Sequence, residues 1–240
     1  MRGATLLGAG VVMLLAAAKP AATPLQDPPA AAAVPGPLPA FIVYDGRFPP
    51  IMQDGKTERD PRDRTNRIHC FVCEYGLAPT FILFLRADPK QITADSPMGQ
   101  LIRDLDTLLS KHRADKLSGL IVFLRTEAGE KAVKLTDATG QETTIAADKE
   151  YPDDENRDRY VREIRDWIQA LKLTNVPVAL APLTSKTIKA WNVQDQDAAA
   201  LVVYRRLKLV APMWHWPTLN DLNAEQIKTI LQTVMESVRY

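Results

Sequence analysis

The chain has 240 residues, of which 46% are hydrophobic and 25% are charged, and this is sufficient for one ordinary globular domain with a sizeable core. Thirty basic residues against 29 acidic ones give a net charge of +1, so no long-range field favours nucleic acid as a partner. Length, composition and charge therefore argue against a nucleic-acid-binding function.

The N-terminus has the pattern of an export signal. Arg2 is followed by an apolar run over residues 4–18, which ends in small residues before Lys19, as at a signal-peptide cleavage site. We predict a signal peptide over residues 1–18 and an exported protein, periplasmic or extracellular. The run is shorter than the roughly 20 residues that a membrane-spanning helix needs, which favours a cleaved signal. An uncleaved N-terminal anchor stays open as the alternative, and we expect no other membrane association.

Residues 19–40 are rich in alanine and proline, and this composition predicts an extended spacer. The folded domain is predicted over residues 41–240. In an oxidising compartment its two cysteines, Cys70 and Cys73, are expected to be bonded to each other.

The first half of the domain predicts a strand, a helix and a second strand. The apolar run over residues 79–86 fits a strand that is covered on both faces, and residues 117–124 repeat the pattern. Between them, Ser96 is placed to cap a helix that has Pro97 in its first turn and leucines along one face. Two buried strands joined by a helix indicate a parallel pair in a doubly covered sheet.

The second half continues with alternating elements and ends in a helix that Asn223 is placed to cap. In chain order the patterns predict a surface hairpin over 132–147, a helix from 153 to 171, a strand over 176–180, a short helix over 184–191, a strand over 198–204, an antiparallel partner strand over 207–213 and the terminal helix.

This order of elements resembles the thioredoxin-like fold in the version used by redoxins and peroxiredoxins. Asp54-Gly55-Lys56 is similar to the motif before the first core strand of that family, Trp191-Asn192-Val193 to the segment before its active-site proline, and residues 201–209 to its strand hairpin. The resemblance implies an α/β, thioredoxin-like three-layer fold with a central mixed sheet and helices on both faces. An alternative alignment takes Val176-Pro177 as the active-site proline segment; we favour the first alignment.

The chain departs from the redoxin pattern at the catalytic position. A redoxin carries its reactive cysteine just after the first core strand, where helix amides stabilise a thiolate. Residues 87–90 read Ala-Asp-Pro-Lys here, and Gln194 to Asp197 stand where the family proline is expected. We therefore predict that the chain has no peroxidase activity.

Cys70 and Cys73 precede the first core strand, and a short loop joins them to it. We therefore expect the pair near the amino end of that strand, opposite the usual catalytic edge, unless the segment folds back over the sheet. A structural disulfide and a redox-active pair are both open at this point. In the redox alternative Cys70 attacks as a thiolate, Cys73 resolves the intermediate, and His69 or Arg67 favours the thiolate.

A metal site is the third alternative for the pair. It would use His69, Cys70 and Cys73, with His215 or Met213 completing it, and these ligands suit copper(I) or zinc. Outside this alternative we expect no cofactor. Trp214 and Trp216 flank His215, and we expect one tryptophan to cover the sheet edge while the histidine is solvated.

Two classes of function follow from these observations. The first is an exported thioredoxin-like protein that carries out thiol-disulfide exchange through Cys70 and Cys73, with a protein thiol or disulfide as its partner. The second is a non-catalytic thioredoxin-like binding module in which the same cysteines form a structural disulfide. Copper binding by the cysteine pair is a further alternative.

Overall fold

The computed structural model describes residues 32–48, 51–53, 56–125, 133–136, 142–145, 154–183 and 185–239. The predicted signal peptide, most of the predicted spacer and the Asp54-Gly55 part of the redoxin-like motif lie outside these residues. None of the described helices is both long enough and apolar enough to cross a membrane.

The described residues form twelve strands, five α-helices and two short 3-10 helices. The strands are β1 Pro39–Tyr44, β2 Ile51–Gln53, β3 Lys56–Glu58, β4 Ile68–Cys70, β5 Thr80–Leu85, β6 Ser118–Arg125, β7 Val133–Thr136, β8 Glu142–Ile145, β9 Val178–Pro182, β10 Ala199–Arg205, β11 Lys208–Leu209 and β12 Trp214–Trp216. The helices are α1 Phe71–Tyr75, α2 Pro97–Lys111, α3 Asp154–Leu171, α4 Lys186–Ala190 and α5 Ala224–Arg239.

A mixed sheet forms the centre of the molecule, in the order β11-β10-β5-β6-β9-β1-β4, with β12 also paired to β10. The strands β5, β6 and β9 are parallel, and β10 is antiparallel to β5. This is the arrangement that the thioredoxin-like resemblance implies for the predicted order of elements. The predicted α/β fold with a central mixed sheet is therefore confirmed.

Helices cover both faces of the sheet, as predicted, but unequally. Buried residues of α2, α3 and α5 pack on one face, whereas the short helices α1 and α4 pack on the other. Every residue of β5 is buried, because this strand is covered on both faces and lies between two neighbours. Burial on both faces explains why the sequence of this strand is a continuous apolar run rather than an alternating pattern.

The predicted helix caps and the predicted hairpin pairing are present. The Ser96 Oγ accepts the Gly99 N–H at 3.1 Å, and the Asn223 Oδ1 accepts the Gln226 N–H at 2.9 Å. The strands β7 and β8 pair antiparallel as the hairpin pattern predicts. Each cap satisfies a backbone donor that the helix itself leaves free.

The segment after β10 differs from the predicted single strand over residues 207–213. Only Lys208–Leu209 pairs next to the turn, and a separate strand, Trp214–Trp216, pairs with the opposite end of β10. Pro212 lies between the two strands and has no backbone N–H to donate, so a continuous ladder is disfavoured there.

Part of the segment assigned to the spacer lies on the sheet. The Val34 N–H donates to the Leu207 carbonyl at 2.9 Å, and the Leu38 side chain is fully buried. The strand β1 begins at Pro39 and lies between β9 and β4. Leu38 and Ala40 therefore contribute to the core on the face that α1 covers, and Val34 packs against it.

A buried carboxylate on α2 fixes the entry to β9. The Asp106 side chain accepts the backbone N–H groups of Asn175 and Val176, both at 2.8 Å, and that of Thr174 at 3.2 Å. The Asn175 Nδ2 donates to the same carboxylate at 3.0 Å. These bonds satisfy a turn whose backbone donors have no strand partner.

Candidate functional site

The two cysteines lie where the edge strand β4 ends and the helix α1 begins. Cys70 is the last residue of β4, Cys73 lies in α1, and the two form a disulfide with a Cα–Cα distance of 5.3 Å. The Cys73 residue is exposed and Cys70 is half-buried. Of the two residues, the second one of the pair is therefore the more accessible.

The sheet register shows where the pair lies along the strands. In successive pairs, Phe41 of β1 is opposite both Ile68 of β4 and Leu180 of β9. Because β4 therefore runs in the same direction as β9, Cys70 lies beyond Ile68 towards the carboxyl end of β9. The predicted position at the amino end of the first core strand is wrong, because β4 runs in the same direction as β9, β6 and β5 and therefore ends on their carboxyl side.

The pair is nevertheless remote from the position of a redoxin nucleophile. Four strand-to-strand steps separate β4 from β5 in the sheet, which corresponds to roughly 19 Å at about 4.8 Å per step. The cysteines therefore occupy a lateral edge of the sheet, and the chemistry of the usual site does not transfer to them directly.

One backbone donor faces the Cys70 sulfur. The Cys73 N–H donates to the Cys70 Sγ at 3.2 Å, and Cys70 is the N-cap residue of α1. In the reduced protein the same N–H is placed to stabilise a thiolate on Cys70, because hydrogen bonds to charged acceptors are stronger than those to neutral ones.

A charged network adjoins the disulfide. The Glu74 carboxylate binds the His69 Nε2 and the Arg47 Nη1, each at 2.5 Å, and Arg47 also binds Asp45 at 2.8 Å. The Arg47 guanidinium lies 4.4 Å from the centre of the Phe71 ring. The network therefore fixes the first turn of α1 against the end of β1.

The network keeps Glu74 ionised. Burial opposes ionisation of this carboxyl group, but the hydrogen bond from Arg47, its charge and the contact with His69 outweigh burial and lower the pKa of Glu74. The His69 Nε2 is held by Glu74, and none of the described hydrogen bonds joins His69 to a sulfur atom, so the effect of His69 on a Cys70 thiolate stays a prediction. Arg67, which directly precedes the edge strand β4, is exposed.

The redoxin catalytic position is filled by another side chain. The Arg125 guanidinium donates to the carbonyls of Arg86 and Ala87, at 2.8 and 2.9 Å, directly after β5. Ala87 is buried, and the Asp88 carboxylate accepts the Lys90 N–H at 2.8 Å. These contacts occupy the loop in which the family places its cysteine.

His215, which the metal alternative uses as a completing ligand, lies near the opposite lateral edge of the sheet from the cysteines. It belongs to β12, six strand steps from β4, or roughly 29 Å at about 4.8 Å per step. Its Nδ1 binds the buried Asp197 carboxylate at 2.7 Å, so it is anchored rather than solvated. The described residues hold no group of three or more metal-ligating side chains, and the structure does not bring His215 to His69, Cys70 and Cys73.

The flanking tryptophans agree with the sequence expectation. Trp216 is 1% exposed and packs in the core beside α5, whereas Trp214 is half-buried. One tryptophan thus covers the sheet next to β10, as predicted.

Sequence reasoning missed Arg47, Glu74 and Asp197 as parts of these sites. Arg47 and Glu74 are 27 residues apart in the chain, and Asp197 and His215 are 18 apart. The separations match no local motif, so only the fold reveals the pairs.

Comparison with known proteins gives a likeness of structure alone. No family model and no curated protein sequence matches the chain. A thiol:disulfide interchange protein of the thioredoxin family from Chlorobium tepidum is 10% identical over 86% of this chain and 99% of its own, with a TM-score of 0.42.

Two further solved structures are similar to the same degree. A secreted Mycobacterium tuberculosis disulfide oxidoreductase homologous to E. coli DsbE is 10% identical over 83% of this chain and 95% of its own, with a TM-score of 0.44. The mitochondrial 2-Cys peroxiredoxin from Plasmodium falciparum is 8% identical over 84% of this chain and 89% of its own, with a TM-score of 0.45. The order and pairing of its own strands give this chain a thioredoxin-like fold, in which Cys70 ends an edge strand and Cys73 lies in the helix that follows it.

Proposed function

We propose that this chain carries out thiol-disulfide exchange through Cys70 and Cys73. The observation that carries the proposal is the hydrogen bond from the Cys73 N–H to the Cys70 Sγ, at 3.2 Å, on a turn where Cys73 is exposed. The bond favours negative charge on Cys70, and Cys70 is only half-buried, so a second sulfur can approach it.

The exchange consists of two displacements. In the reduced protein, the Cys70 thiolate attacks one sulfur of a partner disulfide, and the other partner sulfur leaves as a thiolate that takes up a proton. The Cys73 thiol then loses its proton and attacks the Cys70 Sγ, which releases the partner's second sulfur as a thiolate. Two electrons pass to the partner, and the reverse sequence oxidises a partner dithiol.

The size of the loop also supports a chemical role. The disulfide joins residues three apart, and the chain-entropy model gives a loop of this size about 2 kcal/mol of stabilisation, against about 3 kcal/mol for a 15-residue loop. A bond that serves stability would be more effective across a longer loop.

Peroxide reduction is not part of the proposal. The position after β5 has no thiol, and Arg125 binds the carbonyls that surround it. Rapid turnover of hydrogen peroxide by the purified protein would contradict this.

We propose the periplasm or the extracellular space as the site of action. The apolar leader over residues 1–18 and the bonded state of both cysteines support export. Fractionation of cells that produce the full chain tests this: retention in the cytoplasm with both thiols reduced would contradict it.

A redox titration separates exchange from a structural bond. The Cys70–Cys73 couple is equilibrated in glutathione or dithiothreitol buffers, and its reduced fraction is measured by thiol alkylation. A potential above about −250 mV supports exchange, whereas one below about −300 mV assigns a structural disulfide. The filled redoxin position favours a non-catalytic binding module in the second case.

Trapping experiments test the roles of the two sulfurs. With a disulfide-containing protein, the Cys73→Ser variant is expected to accumulate a mixed disulfide through Cys70, because no second thiol remains to resolve it. The Cys70→Ser variant is the matched control and is expected to trap less, because its remaining sulfur lacks the Cys73 N–H as a donor. Equal trapping by both variants would remove the assigned roles.

A further inference from the structure

The outer edge of β4 has no strand partner among the described residues. β4 stands last in the sheet, and it ends at Cys70 of the disulfide. Its residue Ile68 is 65% exposed, the largest exposure of any large apolar side chain that the structure describes. An apolar edge of this kind is a template for pairing with another chain.

The register shows which backbone groups of β4 are free. The Ile42 N–H donates to the Arg67 carbonyl, so that carbonyl points towards β1. Because the peptide groups of a strand alternate in direction, those of His69 also point towards β1, and those of Ile68 point outwards. Ile68 therefore presents one N–H and one C=O to solvent, two residues before Cys70.

We propose that the outer edge of β4 binds an extended, cysteine-containing segment of a polypeptide as an additional antiparallel strand, with the segment's cysteine opposite Cys70. This inference rests on the proposed thiol-disulfide exchange and names the partner of that reaction. Backbone pairing of this type gives affinity, and the side chains opposite the strand give selectivity.

Strand pairing brings the two sulfurs into range. Residues opposite each other in an antiparallel pair have Cα atoms about 4.5 to 5.5 Å apart, and a disulfide spans about 4.4 to 6.8 Å between Cα atoms. A cysteine opposite Cys70 can therefore form the mixed disulfide of the first displacement without movement of either backbone.

The same register predicts a sequence preference. In an antiparallel partner, the residue opposite Ile68 comes two positions after the cysteine that lies opposite Cys70. Since Ile68 is exposed and apolar, we expect an apolar residue there, in the pattern Cys-x-apolar.

The experiment uses a nine-residue peptide with one cysteine, followed at the second position by valine, and activated as a mixed disulfide with thionitrobenzoate. The reduced Cys73→Ser protein displaces thionitrobenzoate when Cys70 attacks, and the release is followed by absorbance. Methylation of the valine backbone nitrogen removes the donor that pairs with the Ile68 carbonyl, and we expect the rate to fall at least tenfold. Methylation of the preceding nitrogen, which points away from β4, is the matched control and should change the rate less than twofold.

Protein variants test the same edge from the other side. Ile68→Pro in the Cys73→Ser background removes the outward N–H and leaves the bonds to β1, so the ratio of the peptide rate to the rate with oxidised glutathione should fall at least tenfold. Leu77→Ala, which removes another exposed apolar side chain, should leave that ratio unchanged. Should Ile68→Pro fail to fold, the methylated peptides still decide the question with residue 68 intact.

Three results would overturn the proposal. Equal rates for the two methylated peptides, with normal reaction of oxidised glutathione, would contradict strand pairing at β4 but would leave the proposed exchange function uncontradicted. No reaction of either disulfide would remove both. A dimer in sedimentation experiments that Ile68→Pro dissociates would assign the edge to a second copy of the chain.

Discussion

Replacement of Asp106 by alanine should destabilise the domain more than any other single change to a charged residue on α2. The carboxylate accepts three consecutive backbone N–H groups, those of Thr174, Asn175 and Val176, at 2.8 to 3.2 Å. Asp106 itself is 6% exposed, so water reaches the site poorly. Each buried donor left without a partner costs about 1 to 3 kcal/mol.

We expect a loss of about 3 to 5 kcal/mol in the free energy of unfolding, because the loop can move outwards and hydrate part of the three donors. Urea denaturation followed by circular dichroism measures it. The Asp104→Asn variant is the matched control, since Asp104 is half-exposed on the same helix, and its stability should change by less than about 0.5 kcal/mol. A loss below about 1 kcal/mol in Asp106→Ala would refute the reasoning, because the amides would then have other partners.

Three further changes follow from individual contacts. Burial raises the pKa of Glu74, but Arg47 lowers it more, so the folded value lies below the unfolded one. The ionised Glu74 side chain therefore stabilises the folded state above the unfolded pKa of about 4.3, and this stabilisation is lost as the pH falls through the lower folded value. Glu74→Gln should therefore cost about 1 kcal/mol near neutral pH and nothing in strong acid, measured by urea denaturation at both; a cost that does not vary with pH contradicts this. In Gly119→Ala the new Cβ would overlap the Phe81 ring, and we expect thermal unfolding to report a loss of about 1 to 3 kcal/mol that Phe81→Leu partly restores. Trp167→Phe removes an indole donor to a buried backbone carbonyl at 3.0 Å and should cost about 1 kcal/mol; an unchanged midpoint in urea would show that the bond contributes nothing.

The central elements were predictable because their signals are local. The apolar runs that became β5 and β6, and the caps Ser96 and Asn223, each depend on residues within one helix or strand. The strand β1 was missed because its neighbours in sequence are prolines and alanines typical of a spacer. Its strand character comes from pairing with β9, which is remote along the chain.

The cysteine pair was visible in the sequence, but its position and surroundings were not. A pattern indicates that a segment is a strand without indicating its partner, and the location of Cys70 depends on β4 pairing with β1. The ion pair of Arg47 with Glu74 depends on the same event, because it joins the end of β1 to the first turn of α1. Long-range pairing therefore limited the prediction of the site more than it limited that of the fold.

The position of the cysteines bears on the size of the partner. At the end of β5 a reactive sulfur would lie between a helix and a loop, and a small oxidant can be enclosed there; in this chain Arg125 binds the carbonyls of that loop. The outer edge of β4 has no strand partner among the described residues, and a small molecule cannot pair with its peptide groups as a strand does. A polypeptide, in contrast, can pair with the free peptide groups of Ile68 along the strand. In the proposed exchange, a sulfur at the end of β4 is therefore better placed for an extended chain than for a small oxidant.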